Sequence, residues 1–270
     1  MRALLLLFFL LFVEAAFASP RFFSEFDLGP SFVNYREQVL NYPDPSTGTI
    51  GRIDSVADTL TYALRGRLEM YWDQTFLGLG SNLPVFAAAA RESWRFNDSL
   101  TQTNDLSYAI TSVEFYGGYS FARYLELLSG FSLSKAEQIR NNFVVNGVRQ
   151  SLDRSIETIV SKNVFVEARG KQGAQPFWFG YQVGLVYPVN VLSSNTLLPD
   201  FNFSSPGISY YGRGSFFCLL TTDSIIEASL GYRWLHYDGS PWITIGSSTA
   251  KWPTNNTSEI SLTLGWRYSY

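Results

Sequence analysis

The sequence predicts an all-β fold, an antiparallel up-and-down transmembrane β-barrel of about ten strands. Three observations predict it. Segments of about ten residues alternate between apolar and polar side chains, as a strand does when one face meets lipid and the other a polar interior. The connections between these segments alternate between short and long. After residue 18, the longest apolar run covers only 85–90, far below the roughly twenty residues that a membrane helix needs.

The first residues have the features of a signal peptide. Met1-Arg2 is a short positive region, residues 3–13 are apolar, and Ala16-Phe17-Ala18 fits a small-x-small cleavage site. The apolar stretch is too short to span a bilayer well. We therefore predict a signal peptide at 1–18 and one barrel domain at 19–270.

Composition excludes several classes of function. The net charge is −3, so there is no basic excess for binding nucleic acid. Charged residues are 16%, below the roughly 25% of a soluble domain, while aromatic residues reach 17%. Cys218 is the only cysteine and His236 the only histidine, so neither a disulfide nor a Cys/His zinc site is expected. The chain has no Walker loop and no GxSxG motif, and we expect no metal and no cofactor.

Ten segments are predicted to be strands. The clearest alternation covers 59–70, 124–134, 177–189, 226–236 and 260–270. Weaker patterns cover 22–35, 75–90, 106–118, 156–168 and 208–219. Lys162 falls on the apolar face of its segment, which a β-bulge could correct. Eight or twelve strands remain compatible with the sequence because 75–104 is hard to divide.

The predicted connections differ in length on the two sides of the barrel. Short turns are predicted at 71–74, 119–122, 169–176 and 220–223, and long loops at 36–57, 93–104, 135–153, 190–207 and 238–256. Bacterial outer-membrane barrels have short turns on the periplasmic side and long loops outside. Both ends of the barrel domain are accordingly expected on the periplasmic side.

The last segment has one wholly apolar face, formed by Ile260, Leu262, Leu264, Trp266, Tyr268 and Tyr270. Together with the alternation, this face resembles that of bacterial outer-membrane β-barrel proteins as a class. The stretch Tyr-Ser-Phe-Ala-Arg-Tyr-Leu at 119–125 also resembles the short turns of small barrels of the OmpA and OmpX kind. The resemblance covers nearly all of 19–270 and the omptin size range, but it specifies no particular family.

The resemblance implies a location and partners. It places the chain in the bacterial outer membrane, in contact with its lipid. In that class a C-terminal aromatic residue, preceded by apolar residues at alternate positions, is read by the barrel-assembly machinery. The corresponding residues here are Leu264, Trp266, Tyr268 and Tyr270. Most members end in Phe, whereas this chain ends in Tyr.

The polar faces of the segments predict a charged interior. The predicted lumen ion-pair layer contains Glu25, Asp27, Arg65, Arg67, Glu69, Glu126, Glu167, Arg213, Glu227, Arg233 and Arg267. In the first interpretation these charges neutralise one another and fill a narrow core, because an unpaired charge there is costly. In the second they gate a narrow pore, and the acidic surplus favours cations.

Two further regions are candidate functional sites. His236 and Asp238 lie at the outer end of a strand, where omptin proteases have Asp and His, but the chain lacks an Asp-x-Asp pair and strand phase turns His236 outward. Trp242 and Trp252, beside Pro241 and Pro253, could anchor a partner or lie on the membrane surface.

The sequence therefore favours a non-enzymatic structural or surface-binding barrel, which could bind an extracellular partner through its long loops. A cation-preferring channel or small-solute transporter is the alternative, and an omptin-like hydrolase is third.

Overall fold

The computed structural model describes residues 20–43, 48–122, 124–152, 154–197, 200–203, 207–245 and 248–270. The predicted signal peptide at 1–18 lies outside these residues. Among the residues described, no helix is long and apolar enough to cross a membrane.

Ten long strands form the fold. They are β1 (Arg21–Pro43), β2 (Ile50–Trp72), β3 (Thr75–Ala87 continued by Ala90–Phe96), β4 (Ser99–Ala122), β5 (Leu125–Val145), β6 (Arg154–Ala174), β7 (Phe177–Asn195), β8 (Ser209–Thr221), β9 (Ser224–Tyr237) and β10 (Thr254–Ser269). Shorter strands occur at Val148–Arg149, Phe201–Phe203, Ile243–Ile245 and Ser248–Ala250, the last two forming a separate hairpin.

Each long strand pairs antiparallel with its neighbour in the chain, and β1 also pairs with β10, for example at Phe26 and Trp266. The sheet is therefore closed, and the prediction of an antiparallel barrel of about ten strands is confirmed. The region that was difficult to divide is one strand, β3, interrupted at 88–89. Its first segment pairs with β2 and β4, and its second segment continues both pairings.

An apolar band surrounds the outside of the barrel. On β1 it runs from Phe22 to Phe32, about the nine to eleven residues that a membrane strand needs. The same band passes Leu64 on β2, Phe131 on β5 and Leu264 on β10, all of which point outward and are exposed. Inward neighbours on the same strands, such as Asp27, are buried. This is the arrangement of a barrel whose outer face meets lipid.

Beyond the band, the polarity of the two faces is reversed. On β1, Asn34 and Arg36 point outward, while Val33 and Tyr35 are buried inside. On β5, Lys135 and Glu137 pair at 3.0 Å on the outer face. The strands thus continue past the membrane as a water-exposed barrel with an apolar core.

This extension corrects the predicted long loops. The regions 36–57 and 135–153 are mostly strand, and 93–104 is a hairpin with a two-residue turn at 97–98. The prediction was wrong because a strand that leaves lipid no longer carries the apolar-out pattern used to recognise it. Within the predicted loop 238–256, the described residues 238–242 and 251–253 are not strand, whereas in 190–207 the described residues 190–195 and 201–203 are strand. Of the short turns, those at 73–74 and 222–223 agree with prediction, and that at 175–176 lies at the end of the predicted 169–176. The predicted 119–122 turn was placed too early, since β4 continues to Ala122.

Lys162 lies on the outer face at the upper edge of the apolar band, above Val164 and Val166. The register between β6 and β7 shifts beside it, between Lys162 and Asn163. A cation at this edge can extend toward the water-lipid interface, so its position on this face is compatible with the barrel.

Candidate functional site

The barrel interior holds charges in several layers, and the first lies near the end with the short turns. Arg213 on β8 donates to Asp27 on β1 at 2.6 Å and to Glu227 on β9 at 2.9 Å. Arg267 on β10 donates to Glu25 on β1. The two arginines thus connect four strands, β1, β8, β9 and β10, through three carboxylates that are at most 6% exposed.

A second group in this layer is organised by Arg169 on β6. Its guanidinium contacts Glu69 on β2 at 2.5 Å and Glu126 on β5 at 2.7 Å, and it donates to the Tyr71 hydroxyl at 2.9 Å. Arg67 lies 3.9 Å from Glu69. Arg169 was not among the predicted lumen residues because it was assigned to a turn, although it lies inside β6.

The remaining predicted charges lie higher in the interior or on the opposite wall. Arg65 on β2 binds Glu259 on β10 at 3.0 Å, and Arg233 approaches the same carboxylate at 3.9 Å. Glu167 accepts from the Tyr211 hydroxyl at 2.5 Å and from Gln182 at 2.6 Å. All eleven predicted residues therefore face the interior, while Arg169 and Glu259 complete contacts that sequence reasoning missed.

Small cavities separate these layers. One of about 180 Å³ lies at the end with the short turns and another of about 140 Å³ lies among the mid-barrel serines, and Glu25 and Arg67 line both. Cavities of this size and polarity can hold several waters. The lower interior is therefore a polar region that water can enter, interrupted by ion pairs.

Above the mid-barrel cavity, apolar and aromatic side chains fill the interior. Tyr35 and Leu106 are fully buried, and Tyr108 is 3% exposed, with its ring 5.2 Å from that of Tyr35. On the other side of the barrel, Tyr237 shares a hydrogen bond of 3.3 Å with Ser161. We call Tyr35, Leu106, Tyr108, Ile159 and Tyr237 the aromatic layer. Its side chains are buried like those in the core of a soluble protein.

A further ion-pair cluster lies beyond the aromatic layer, outside the membrane band. Arg140 on β5 contacts Glu92 on β3 at 2.8 Å, Glu37 on β1 at 3.0 Å and Glu157 on β6 at 3.2 Å. All four side chains are at most 7% exposed. We call these four residues the Arg140 cluster. None of them is among the predicted site residues. Glu37 and Arg140 fall in predicted loops, Glu92 lies between a predicted strand and a predicted loop, and Glu157 begins a predicted strand with weak alternation.

The three carboxylates of this cluster have unequal surroundings. Glu92 accepts from Ser55 at 2.5 Å and from Asn104 at 2.6 Å in addition to Arg140. Glu157 accepts from Ser193 and from the indole of Trp252, both at 2.8 Å. Oε1 of Glu37, by contrast, accepts no hydrogen bond from the described residues.

The pKa values of Glu37 and Glu92 reflect this difference. Burial raises the pKa of Glu37 to about 8 against the opposing charge of Arg140, and the nearby carboxylates of Glu157 and Glu92 raise it further. Burial would also raise the pKa of Glu92, but Arg140 and the hydrogen bonds from Ser55 and Asn104 hold it below its usual value. Glu37 is therefore the carboxyl of this cluster that holds a proton near neutral pH.

A cleft opens above the Arg140 cluster at the end of the barrel opposite the short turns. Its volume is about 410 Å³, which is within the range of small-molecule sites. Glu37, Arg140 and Glu157 lie at its charged end, and its walls include aromatic residues: Trp94, Phe143, Phe201 and Trp252.

Trp252 corrects the prediction of two exposed loop aromatics. Its side chain is only 2% exposed, because the last loop folds inward and packs it against Phe203 and Tyr237. Trp242, in contrast, is 38% exposed. Only Trp242 therefore remains available at the surface in the way the sequence suggested.

His236 lies on the outer face, with its ring stacked on Trp234 at a centroid distance of 5.0 Å. Its Nδ1 is 2.7 Å from the Asn256 side-chain oxygen and its Nε2 is 3.0 Å from Asp238. Both ring nitrogens thus lie within hydrogen-bond distance of neighbouring side-chain oxygen atoms. Cys218 is partly exposed and unpaired, on the outer face of β8.

No protein-family model and no curated protein matches the sequence. Among solved structures, the outer-membrane protease OmpT from Escherichia coli is similar with a TM-score of 0.70 and 11% identity, over 95% of this chain and 100% of that one. The translocator domain of the autotransporter NalP from Neisseria meningitidis has a TM-score of 0.37 and 9% identity, over 95% and 91%. OprG from Pseudomonas aeruginosa has a TM-score of 0.36 and 10% identity, over 94% and 96%.

At 11% identity, the similarity to OmpT is one of fold. The closed ten-stranded sheet, the apolar outer band and the polar interior are those of a bacterial outer-membrane β-barrel, and the chain has this fold and location. The resemblance drawn from the sequence is confirmed at the level of this class.

Proposed function

We propose that the protein is a closed, non-enzymatic barrel that binds a ligand at its extracellular end. The side with the short turns, where the described chain begins and ends, is the periplasmic side in this proposal. The cleft above the Arg140 cluster then faces the outside. The proposal extends the sequence-based preference for a surface-binding barrel by assigning binding to the cleft rather than to protruding loops.

The aromatic layer is the observation that carries this proposal. Tyr35 and Leu106 are 0% exposed although they point into the lumen. A conducting pore needs a water-filled path, and a ten-stranded barrel encloses little more space than its side chains occupy. The lower cavities favour water entry from the periplasmic side, and the upper one extends as far as Tyr108, Ile159 and Tyr237 of this layer. The fold therefore supports a closed core better than a channel.

Planar-bilayer recording of the refolded protein tests the closed state. We expect no reproducible conductance steps from protein that shows the heat-modifiable mobility of a folded barrel. The rival function, a narrow cation-preferring channel, requires steps that change in amplitude or selectivity in Arg67→Ala or Glu69→Ala. Such steps would refute the closed barrel.

The geometry of His236 weighs against the hydrolase alternative. A general base must reach the proton of its substrate, but both ring nitrogens of His236 already face oxygen atoms. A cleavage assay with mixed peptide substrates tests this point. Turnover by the parent that disappears in His236→Ala would overturn the assignment as a non-enzyme.

A further inference from the structure

The Arg140 cluster contains more acidic groups than basic ones. One guanidinium contacts three carboxyl groups, those of Glu37, Glu92 and Glu157. Full ionisation would leave a net charge of −2 in a region that is almost inaccessible to water. An uncompensated buried charge is unfavourable, so the cluster needs either a bound proton or a further cation.

Counting hydrogen-bond donors identifies the carboxyl group that lacks a partner. Both oxygens of Glu92 and both oxygens of Glu157 accept hydrogen bonds. Glu37 accepts from Arg140 on Oε2, and a hydrogen bond from the Tyr35 hydroxyl also lowers its pKa, while its Oε1 has no donor among the described residues. The Glu37 residue is only 3% exposed, and it lines the cleft. Oε1 is closed to solvent, so a ligand that enters the cleft with an N–H donor reaches this oxygen when the Glu37 side chain turns toward the cleft.

The cleft also determines what kind of group should carry the donor. Aromatic residues stand beside the acidic end, and Trp94 already lies 5.4 Å from the Arg140 guanidinium in a cation–π contact. Aromatic faces next to carboxylates favour an organic cation with an apolar body. Lys251, at the rim, is directed over Trp242 at 5.9 Å and so is not the missing cation in this arrangement.

We propose that the cleft binds an ammonium, amidinium or guanidinium group on an apolar or aromatic body, with its N–H donating to Oε1 of Glu37. The body packs between Trp94 and Trp252. This inference rests on the proposed function and specifies the ligand class of the same site. The ligand is either a free amine or the basic side chain of a peptide, since both present the same chemistry.

A metal ion fits this position less well. Hard cations such as Ca²⁺ require six to eight oxygen ligands, whereas Glu37 offers one free oxygen and the other carboxylates are already occupied by donors. An anion would face the negative end of the cleft. A single hydrogen-bonding cation matches both the number of free acceptor atoms and the charge.

The experiment is isothermal titration of the full chain, refolded in detergent, with benzamidine and with its neutral isostere benzamide. A second arm uses the tripeptide amide Gly-Arg-Gly. We expect benzamidine or the peptide to bind. The compound that binds with the higher affinity indicates whether the natural ligand is a free amine or the basic side chain of a peptide. Benzamide should bind at least tenfold more weakly than benzamidine, because it lacks the charge.

Two variants examine the role of Glu37. Glu37→Gln keeps the size of the side chain and should weaken cation binding roughly tenfold or more, measured on protein whose heat-modifiable mobility shows that it has folded. Glu137→Gln removes the same charge from the outer face, where Glu137 pairs with Lys135, and should leave binding unchanged. Because Glu37 must release its proton, affinity should rise roughly tenfold per pH unit below about 8 in the parent and stay flat in Glu37→Gln.

Each result bears on one claim. Equal binding of benzamidine and benzamide, unchanged binding in Glu37→Gln, or no binding of either cation would overturn the proposed ligand class. None of these results alters the bilayer recording, which tests closure separately. Conductance in the bilayer together with Glu37-dependent cation binding would instead retain the ligand and refute the closed barrel.

Discussion

Nη2 of Arg140 on β5 lies 3.0 Å from Oε2 of Glu37 on β1, and this contact crosses the interior of the barrel. Both residues lie beyond the apolar band, in the water-exposed extension. Above the membrane, the barrel is therefore held together by cross-lumen contacts as well as by pairing between adjacent strands. A cluster with one base and three acids is also sensitive to pH, because Oε1 of Glu37 has no hydrogen-bond donor among the residues that the structure describes.

The free energy of unfolding should decrease as the pH rises from the ordinary titration range of a carboxyl group to about 8. The pKa of Glu37 in the folded protein is about 8, above that of an exposed carboxyl. The folded state thus binds more protons than the unfolded state between these values. The resulting stabilisation is present at low pH and is lost as the pH rises through about 8. The free energy of unfolding should fall by up to about 1.4 kcal/mol per pH unit in this window.

Urea unfolding followed by tryptophan fluorescence between pH 5 and 9 measures this dependence. Glu37→Gln should flatten the profile in this window, because glutamine is neutral throughout. Glu137→Gln serves as the control and should keep the slope of the parent. A parent profile that rises between pH 6 and 9 would contradict the assignment of a protonated Glu37.

Arg169→Ala should destabilise the lower interior. The substitution leaves Glu69 and Glu126 without the guanidinium that contacts them at 2.5 and 2.7 Å. Breaking a buried ion pair from one side costs about 3 kcal/mol or more. The exposed pair of Lys135 and Glu137 provides the comparison, since Lys135→Ala should cost less than about 1 kcal/mol. Equal shifts in the urea midpoints of the two variants would show that the Arg169 contacts add little to stability.

The two loop tryptophans should respond differently to substitution. Trp252→Ala removes a side chain that is 2% exposed and donates to Glu157, and should cost about 3–5 kcal/mol. Trp242→Ala, at 38% exposure, should change stability by less than about 0.5 kcal/mol. The thermal midpoint of the heat-modifiable band compares them. A larger loss in Trp242→Ala would contradict the inward packing of the last loop.

The sequence was sufficient to predict the barrel but not its height. Within the apolar band, side chains alternate between apolar and polar, as at Phe26 and Asp27. This alternation indicates lipid on one side of the strand and a polar interior on the other. Beyond it, Tyr35 is inside and Arg36 outside, which is the pattern of a soluble sheet. A search for membrane strands ends at this change, so the extension was assigned to loops.

The same change explains which interior residues were missed. Arg213 and Glu227 lie on strands with clear membrane alternation, and their inward direction followed directly. Arg140, Glu37 and Glu92 lie in the reversed region. Arg140 is an isolated arginine within a stretch of alternating residues, and this is the one signal that could indicate it. The signal is readable only once 135–145 is recognised as part of a strand. No local pattern indicates that three strands bring their carboxylates to one guanidinium.

Substitutions in the last strand, β10, test which of its side chains point toward lipid and how the strand contributes to assembly. Tyr268 points outward, is 37% exposed and packs edge-to-face on Tyr270 at 4.8 Å. Trp266 and Leu264 continue this outer face, whereas Ser269 alternates to the inner side. We predict that these aromatic residues lie at the membrane interface and that the assembly machinery reads this face. A charge at Tyr268 would be placed against lipid, whereas a charge at Ser269 would be placed in the polar interior.

Tyr268→Asp should therefore reduce the fraction of heat-modifiable, folded protein in the outer-membrane fraction several-fold, because its carboxylate must be dehydrated at the lipid face. Ser269→Asp introduces the same charge one residue further along and should assemble close to the parent level. Refolding of both variants into detergent micelles separates assembly from stability, since no assembly machinery acts there. A loss for Tyr268→Asp in cells but not in micelles supports recognition of this face by the machinery. Normal assembly of Tyr268→Asp combined with failure of Ser269→Asp would reverse the facing of β10.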